Sequence, residues 1–166
     1  GKFRDIVEIC GGEARVSQIL ITRRNYTVGP NFDIIAGIDL LNDKDVKSFW
    51  VYMRQHCPLV AIISTPCTGL TGWSAVNEVK NHETWLKSRS TSIPLGELGA
   101  YVAQHQLKYD RDFLSENPLG TYPYHLEGWQ RVAKHPRAMS MRIDMCAAGL
   151  RDPEIAVHIQ KATELW

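Results

Sequence analysis

Cys67 ends an apolar run, Leu59-Val-Ala-Ile-Ile-Ser-Thr-Pro-Cys67, and carries the chain's strongest candidate nucleophile. The β-branched run reads as a buried strand, and a Pro-Cys turn at its C-terminal end would deliver the thiol into a crevice. Open α/β sheets bind their ligands in such crevices, beyond the carboxyl ends of strands. A nucleophilic thiol needs access, and a pKa lowered by a cation or a helix N-terminus. Arg142, on a later strand, is the candidate cation. Burial as a small hydrophobe is the competing fate of Cys67, and the polar or small flanks Thr65, Thr68 and Gly69 oppose it. Glu116 follows Phe113-Leu114 and precedes Asn117-Pro118, so it too is expected at a strand's C-terminal end. A partly desolvated carboxyl there can act as a general acid; the alternative is a capping or loop carboxylate.

A third segment, Glu8-Ile-Cys-Gly-Gly-Glu-Ala-Arg15, passes from strand through two glycines into a helix. Glycine permits a tight turn and close approach of backbone to a ligand. Glu8 could accept hydrogen bonds from amino or ribose groups. The third glycine of GxGxxG is missing and Glu13 would repel a pyrophosphate, which disfavours a dinucleotide. Asp39 stands where it could meet a ribose or an adenine amino group, or where Asp39 and Asn42 simply make a turn or cap a helix. Converged on one hollow, Cys67 and Glu116 would face Gly11 and Gly12.

These groups need a scaffold. The length of 166 residues suits one domain burying roughly 70% of its unfolded-chain surface. Strands are expected at 5–10, 32–38, 59–64, 111–115, 138–143 and 162–166. Helices are expected at 15–23, with Val16, Ile19 and Leu20 on one face, at 43–56, 95–108 and 127–134. Residues 65–95, rich in Thr, Ser, Gly, Asn and charge, read as a long loop. It carries a modest basic-aromatic set of Trp73, Lys80, His82, Trp85, Lys87 and Arg89. Strand–helix alternation predicts right-handed crossovers and a mainly parallel sheet in a single α/β domain.

A formal charge of +1 gives no global electrostatic case for nucleic acid. The four scattered cysteines lack CxxC spacing, so neither a structural metal site nor a disulfide framework is expected. Reduced thiols in an intracellular compartment are the simpler reading. No stretch approaches the ~20 apolar residues of a membrane span, and no signal peptide is evident. A start at Gly-Lys-Phe-Arg, without Met, suggests a domain of a longer polypeptide.

In this order, the glycine turn, Thr65-Pro-Cys67 and Ser115-Glu-Asn-Pro118 resemble the DNA cytosine-5 methyltransferases, which use S-adenosylmethionine (SAM). Met141-Arg-Ile-Asp-Met-Cys-Ala-Ala-Gly149 is similar to that family's later strand and glycine turn. The pattern is closer still to methyltransferase-like domains of retroelement polyproteins, with Gly149-Leu-Arg-Asp-Pro153 fitting their ending. The resemblance implies a Rossmann-like class I methyltransferase fold of three layers. Glu8, Cys10, Gly11, Gly12, Asp39 and Pro66 would then hold SAM. Cys67 would attack cytosine C6, Glu116 would engage N3, and Arg142 would contact a base flipped out of DNA. Thr65 and Pro118 depart from the family's Pro and Val, and only residues 151–166 remain for target recognition. A methyltransferase acting on RNA or another substrate, or a degenerate fold serving as a binding module, stays open.

Overall fold

The computed structural model describes residues 5–72, 74–147, 149–152, 154, 157 and 160–166. Six strands form one sheet in the order β2-β1-β3-β4-β6-β5. β1 (Ile6–Ile9) lies between β2 (Val28–Phe32) and β3 (Val60–Ile63), and β4 (Asp112–Pro118) follows, all four parallel. β6 (Ala162–Leu165) runs antiparallel to both β4 and β5 (Met141–Asp144). The domain is therefore α/β with a mostly parallel sheet.

Val7, Ile9, Ala61 and Ile63 alternate onto one sheet face and are fully buried. They pack with Phe49 and Met53 of α2 (Asp43–His56), Leu98 and Val102 of α4 (His82–Lys108), and Trp129 and Val132 of α5 (Glu127–Ala133). Glu8 points to the opposite face, where it meets α1 (Arg15–Arg24). Gln106 of α4 ties that core to the sheet, its Nε2 donating to the Pro58 and Asp112 carbonyls at 3.0 and 2.9 Å.

Several elements depart from the sequence expectations, each for a local reason. The stretch 32–38 is not a strand. Asp33 accepts the Ile35 N–H and Gly37 takes φ +79°, which closes Ile34–Ala36 into a 3-10 turn. The strand lies earlier, at the sheet edge, where Pro30 costs no ladder bond. Residues 65–95 are not a loop either. They hold a 3-10 turn (Thr68–Leu70), α3 (Ser74–Lys80) and the first half of α4, whose N-cap Asn81 accepts the Thr84 N–H at 3.1 Å. The polar composition belongs to a solvated helix, with most side chains of α3 and early α4 exposed. On α1, Val16 and Ile19 are exposed and Ser17 is the buried residue, since Glu8 grips the helix on the Ser17 side. α2 falls where the sequence puts it, and of the two cap candidates, Asn42 and Asp43, it is Asn42 that caps. β4 extends to Pro118, which places Glu116 inside the strand rather than beyond it.

Candidate active site

The chain leaves β1 toward β2 on one side and later reaches β3 on the other. That reversal of strand order opens a crevice above the carboxyl ends, the usual place for a ligand in an open α/β sheet. A cavity of about 450 Å³ occupies it, lined by Cys10 and Gly12 after β1, Phe32 and Asp33 at the end of β2, and Ser64 and Pro66 after β3. Ile34, Ile38, Asp39, Leu40 and Leu41 form one wall, with Thr91 and Leu95 of α4 opposite. Of the predicted cofactor residues, Cys10, Gly12, Asp39 and Pro66 are brought together here.

The turn after β1 is built for close approach. Cys10, Gly12 and Ala14 all have φ near +55°, the left-handed region. A Cβ on Gly12 would meet nothing within 4 Å, so this edge of the turn is open. Gly11 is different: a Cβ there would lie 2.7 Å from Glu8 Oε2 and 2.9 Å from Asn31 Oδ1. Gly11 and Glu8 do not line the cavity. Glu8, 2% exposed, accepts the Ser17 N–H at 2.6 Å and so serves as a remote cap for α1, whose own N-cap Ala14 offers no side-chain acceptor. Asn31 and Asp33 fasten the turn to β2, accepting the Gly11 and Gly12 N–H groups at 3.2 and 2.9 Å.

Asp33 is the site residue that the sequence analysis missed. It is 8% exposed, and its two carboxylate oxygens each accept one backbone N–H, from Gly12 and Ile35, which leaves lone pairs for a ligand. The signal was a carboxylate directly after an apolar residue at a strand's end, hidden when Asp33 was read as strand interior. Asp39 lines the cavity and also makes a turn, its Oδ1 accepting the Leu41 N–H at 2.9 Å. The Cys10 thiol is pushed up to about 12 by burial and by Asp33, so it stays protonated.

Cys67 stands one residue beyond the cavity wall at Pro66, half-buried, at the start of the 3-10 turn. That turn is clamped onto α4. The Gly69 N–H donates to Ser92 Oγ at 3.1 Å, Ser74 Oγ donates to the Gly69 carbonyl at 3.2 Å, and a Gly69 Cβ would strike the Ser88–Arg89 backbone at 2.6 Å. Burial raises the Cys67 pKa and Glu116 adds to the rise; its own backbone N–H and Lys161 oppose them. Cys67, Glu116 and Lys161 therefore share one electrostatic environment, and Lys161 Nζ lies 3.3 Å from Glu116 Oε1.

Arg142 does not join them. It sits on β5, two strands from β4, and pairs with Asp144 at 3.3 Å. The register aligns Arg142 with Glu164 and Asn117, whereas Glu116 aligns with Leu165 and Met141. Adjacent residues of a strand face opposite sides, so Arg142 and Glu116 lie on different faces. The cation at the thiol is Lys161. Of the basic-aromatic set, His82, Trp85 and Arg89 make a ladder on α4, with His82 stacked on Trp85 at 5.1 Å and the Arg89 guanidinium over the same ring at 5.1 Å. Trp73 lies outside the described residues. Among those described, no group of three His, Cys, Asp or Glu side chains is placed to share a metal ion, and no helix is long and apolar enough to cross a membrane. No protein-family model matches the chain, and no curated protein matches it significantly.

Proposed function

We propose that this domain is a SAM-dependent methyltransferase with a Rossmann-like fold, acting on carbon-5 of cytosine in DNA with Cys67 as nucleophile. The observation that carries the reading is the adjacency of two compartments across Pro66: the crevice cavity on one side, the Cys67–Glu116–Lys161 group on the other. The cavity's donor set suits an adenosine derivative without phosphates. Asp33 and Asp39 offer acceptors to ribose hydroxyls and amino groups, Ile34, Ile38 and Leu41 offer apolar contact to a purine, and two carboxylates disfavour a phosphate. SAM bound there would supply an electrophilic methyl group.

The side chains then divide the labour. The Cys67 thiolate adds to cytosine C6, making the C–S bond and pushing electrons toward C5. Glu116, protonated when it engages the ring, donates that proton to N3 as the C–S bond forms, so that no net negative charge accumulates on the base. After the methyl group has joined C5, loss of the C5 proton to a base restores the double bond and expels the Cys67 sulfur. Lys161 favours the thiolate and orients Glu116 before substrate arrives. Trp85 and Arg89, on the helix that holds the Cys67 turn, are available to an unpaired base and its phosphate.

The test has two stages. SAM or its demethylated product should raise the melting temperature, and a 5-fluorocytosine oligonucleotide with SAM should leave a stable adduct on Cys67 that Cys67→Ala abolishes. Binding without an adduct would favour a second reading, a SAM-binding module or a methyltransferase on another substrate; the raised Cys67 pKa is the observation on its side. Absence of binding would remove the methyltransferase reading altogether.

A further inference from the structure

At the other end of the sheet from the cavity, the last turns of α2 and α4 meet the entry to β4. The His105 ring packs edge-on against Trp50 of α2 at 5.4 Å and lies 4.8 Å from Tyr109. Arg111 Nη2 is 3.3 Å from His105 Nε2. The Arg111 guanidinium lies over the Tyr109 ring at 5.2 Å and Lys108 Nζ over it at 5.6 Å. Arg54 of α2 adds its positive charge to the field at the same imidazole. Burial, then Arg111, Arg54 and Lys108, hold His105 below the ordinary imidazole range, and no carboxylate offsets them.

Among the described residues, that concentration of positive charge has no ion-pair partner. None of Arg54, Lys108 and Arg111 forms an ion pair with a described carboxylate, and the neighbouring Asp110 and Asp112 both pair with Arg137. Arg111 Nη1 is shut off from solvent without an acceptor. A charged donor so placed is costly unless an anion or acceptor reaches the group. Helix dipoles account for cations in the last turns of α2 and α4. They do not account for Arg111, which follows α4 and reaches no helix carbonyl with Nη1.

We infer that Arg54, Lys108 and Arg111 form a binding site for a phosphate group, separate from the crevice. Arg54 and Lys108 are exposed and can meet the anion directly, and the half-buried Arg111 shares the Tyr109 ring with Lys108. The guanidinium fork and the ammonium match the geometry and charge of phosphoryl oxygens. Tyr109, 54% exposed, offers a flat ring beside the cations.

Inorganic phosphate is the first probe, followed by its His105 imidazole NMR signals, assigned with His105→Gln. Phosphate should shift those signals saturably, while sodium chloride at matched ionic strength should not. Arg111→Gln should weaken phosphate binding at least tenfold. Arg54→Gln, an exposed change that spares folding, should weaken it several-fold. A short oligothymidylate acting at lower concentration than phosphate identifies a polynucleotide backbone as the source; response to phosphate alone identifies a free phosphate ligand. Equal shifts with chloride, or unchanged phosphate affinity in both variants, would overturn the site and leave the cations as partners of the helix ends.

Discussion

At the scale of single residues, the chemistry depends on which cation stands beside Cys67. Lys161 does, through its ion pair with Glu116, and Arg142 does not. Removing Lys161 should leave the Glu116 carboxylate free to oppose thiolate formation. The pair is partly exposed, and such pairs are worth about 0.2–1 kcal/mol, so Lys161→Gln should slow iodoacetamide alkylation of Cys67 by a factor of roughly 1.4 to 5. Arg142→Gln should leave that rate unchanged; peptide-level mass spectrometry resolves Cys67 from the other three thiols. Equal effects of the two variants would return Arg142 to the site. His105 gives a prediction of opposite sign to that for a salt-bridged histidine. Its folded-state pKa lies below the unfolded value near 6.5, so the unfolded chain binds the proton more readily. The resulting destabilisation is absent well above that value and grows as pH falls through it. It levels off once the folded imidazole has titrated as well. His105→Gln should flatten this limb of the curve of melting temperature against pH.

Among the elements, α4 holds the site together because it touches both ends of the sheet. Near its start it clamps the Cys67 turn through Ser92, and near its end Gln106 bridges the loops that enter β3 and β4. Gly69→Ala brings a Cβ to 2.6 Å from backbone that cannot yield as a side chain would. Overpacking of this kind costs about 1–3 kcal/mol, and the Cys67 turn should shift with it, changing alkylation at Cys67 more than at Cys146. Gln106→Leu strips the Pro58, Leu59 and Asp112 carbonyls of a donor in a fully buried position. The expected loss is about 1–3 kcal/mol, read as a lower denaturation midpoint, with little change in any stabilisation that a crevice ligand gives, because Gln106 lies at the opposite end of the sheet from the crevice. A Gln106→Leu domain as stable as the parent would show that water replaces the amide there.

For the molecule as a whole, a ligand of the folded crevice must stabilise the fold. At a hundredfold excess over its dissociation constant the gain is about 2.7 kcal/mol, and Asp33→Ala should abolish it while a Lys161 variant should not. The amino-acid order alone specified the α/β alternation, the α2 helix, the strand that leads to Cys67 and a glycine turn after the first strand. Those are local facts, written in apolar runs, capping residues and glycine conformational freedom. The reading failed where polar composition stood in for a loop, as in the solvated half of α4, and where a cap outcompeted β propensity, as at Asp33. Three outcomes came only from tertiary structure: Glu8 as a remote cap for α1, Asp33 in the cavity wall, and Lys161 in place of Arg142. The last two depend on strand register and strand order, which join residues tens of positions apart, and the first on how α1 folds back over β1. Local spacing carries no information about which strand will lie beside which.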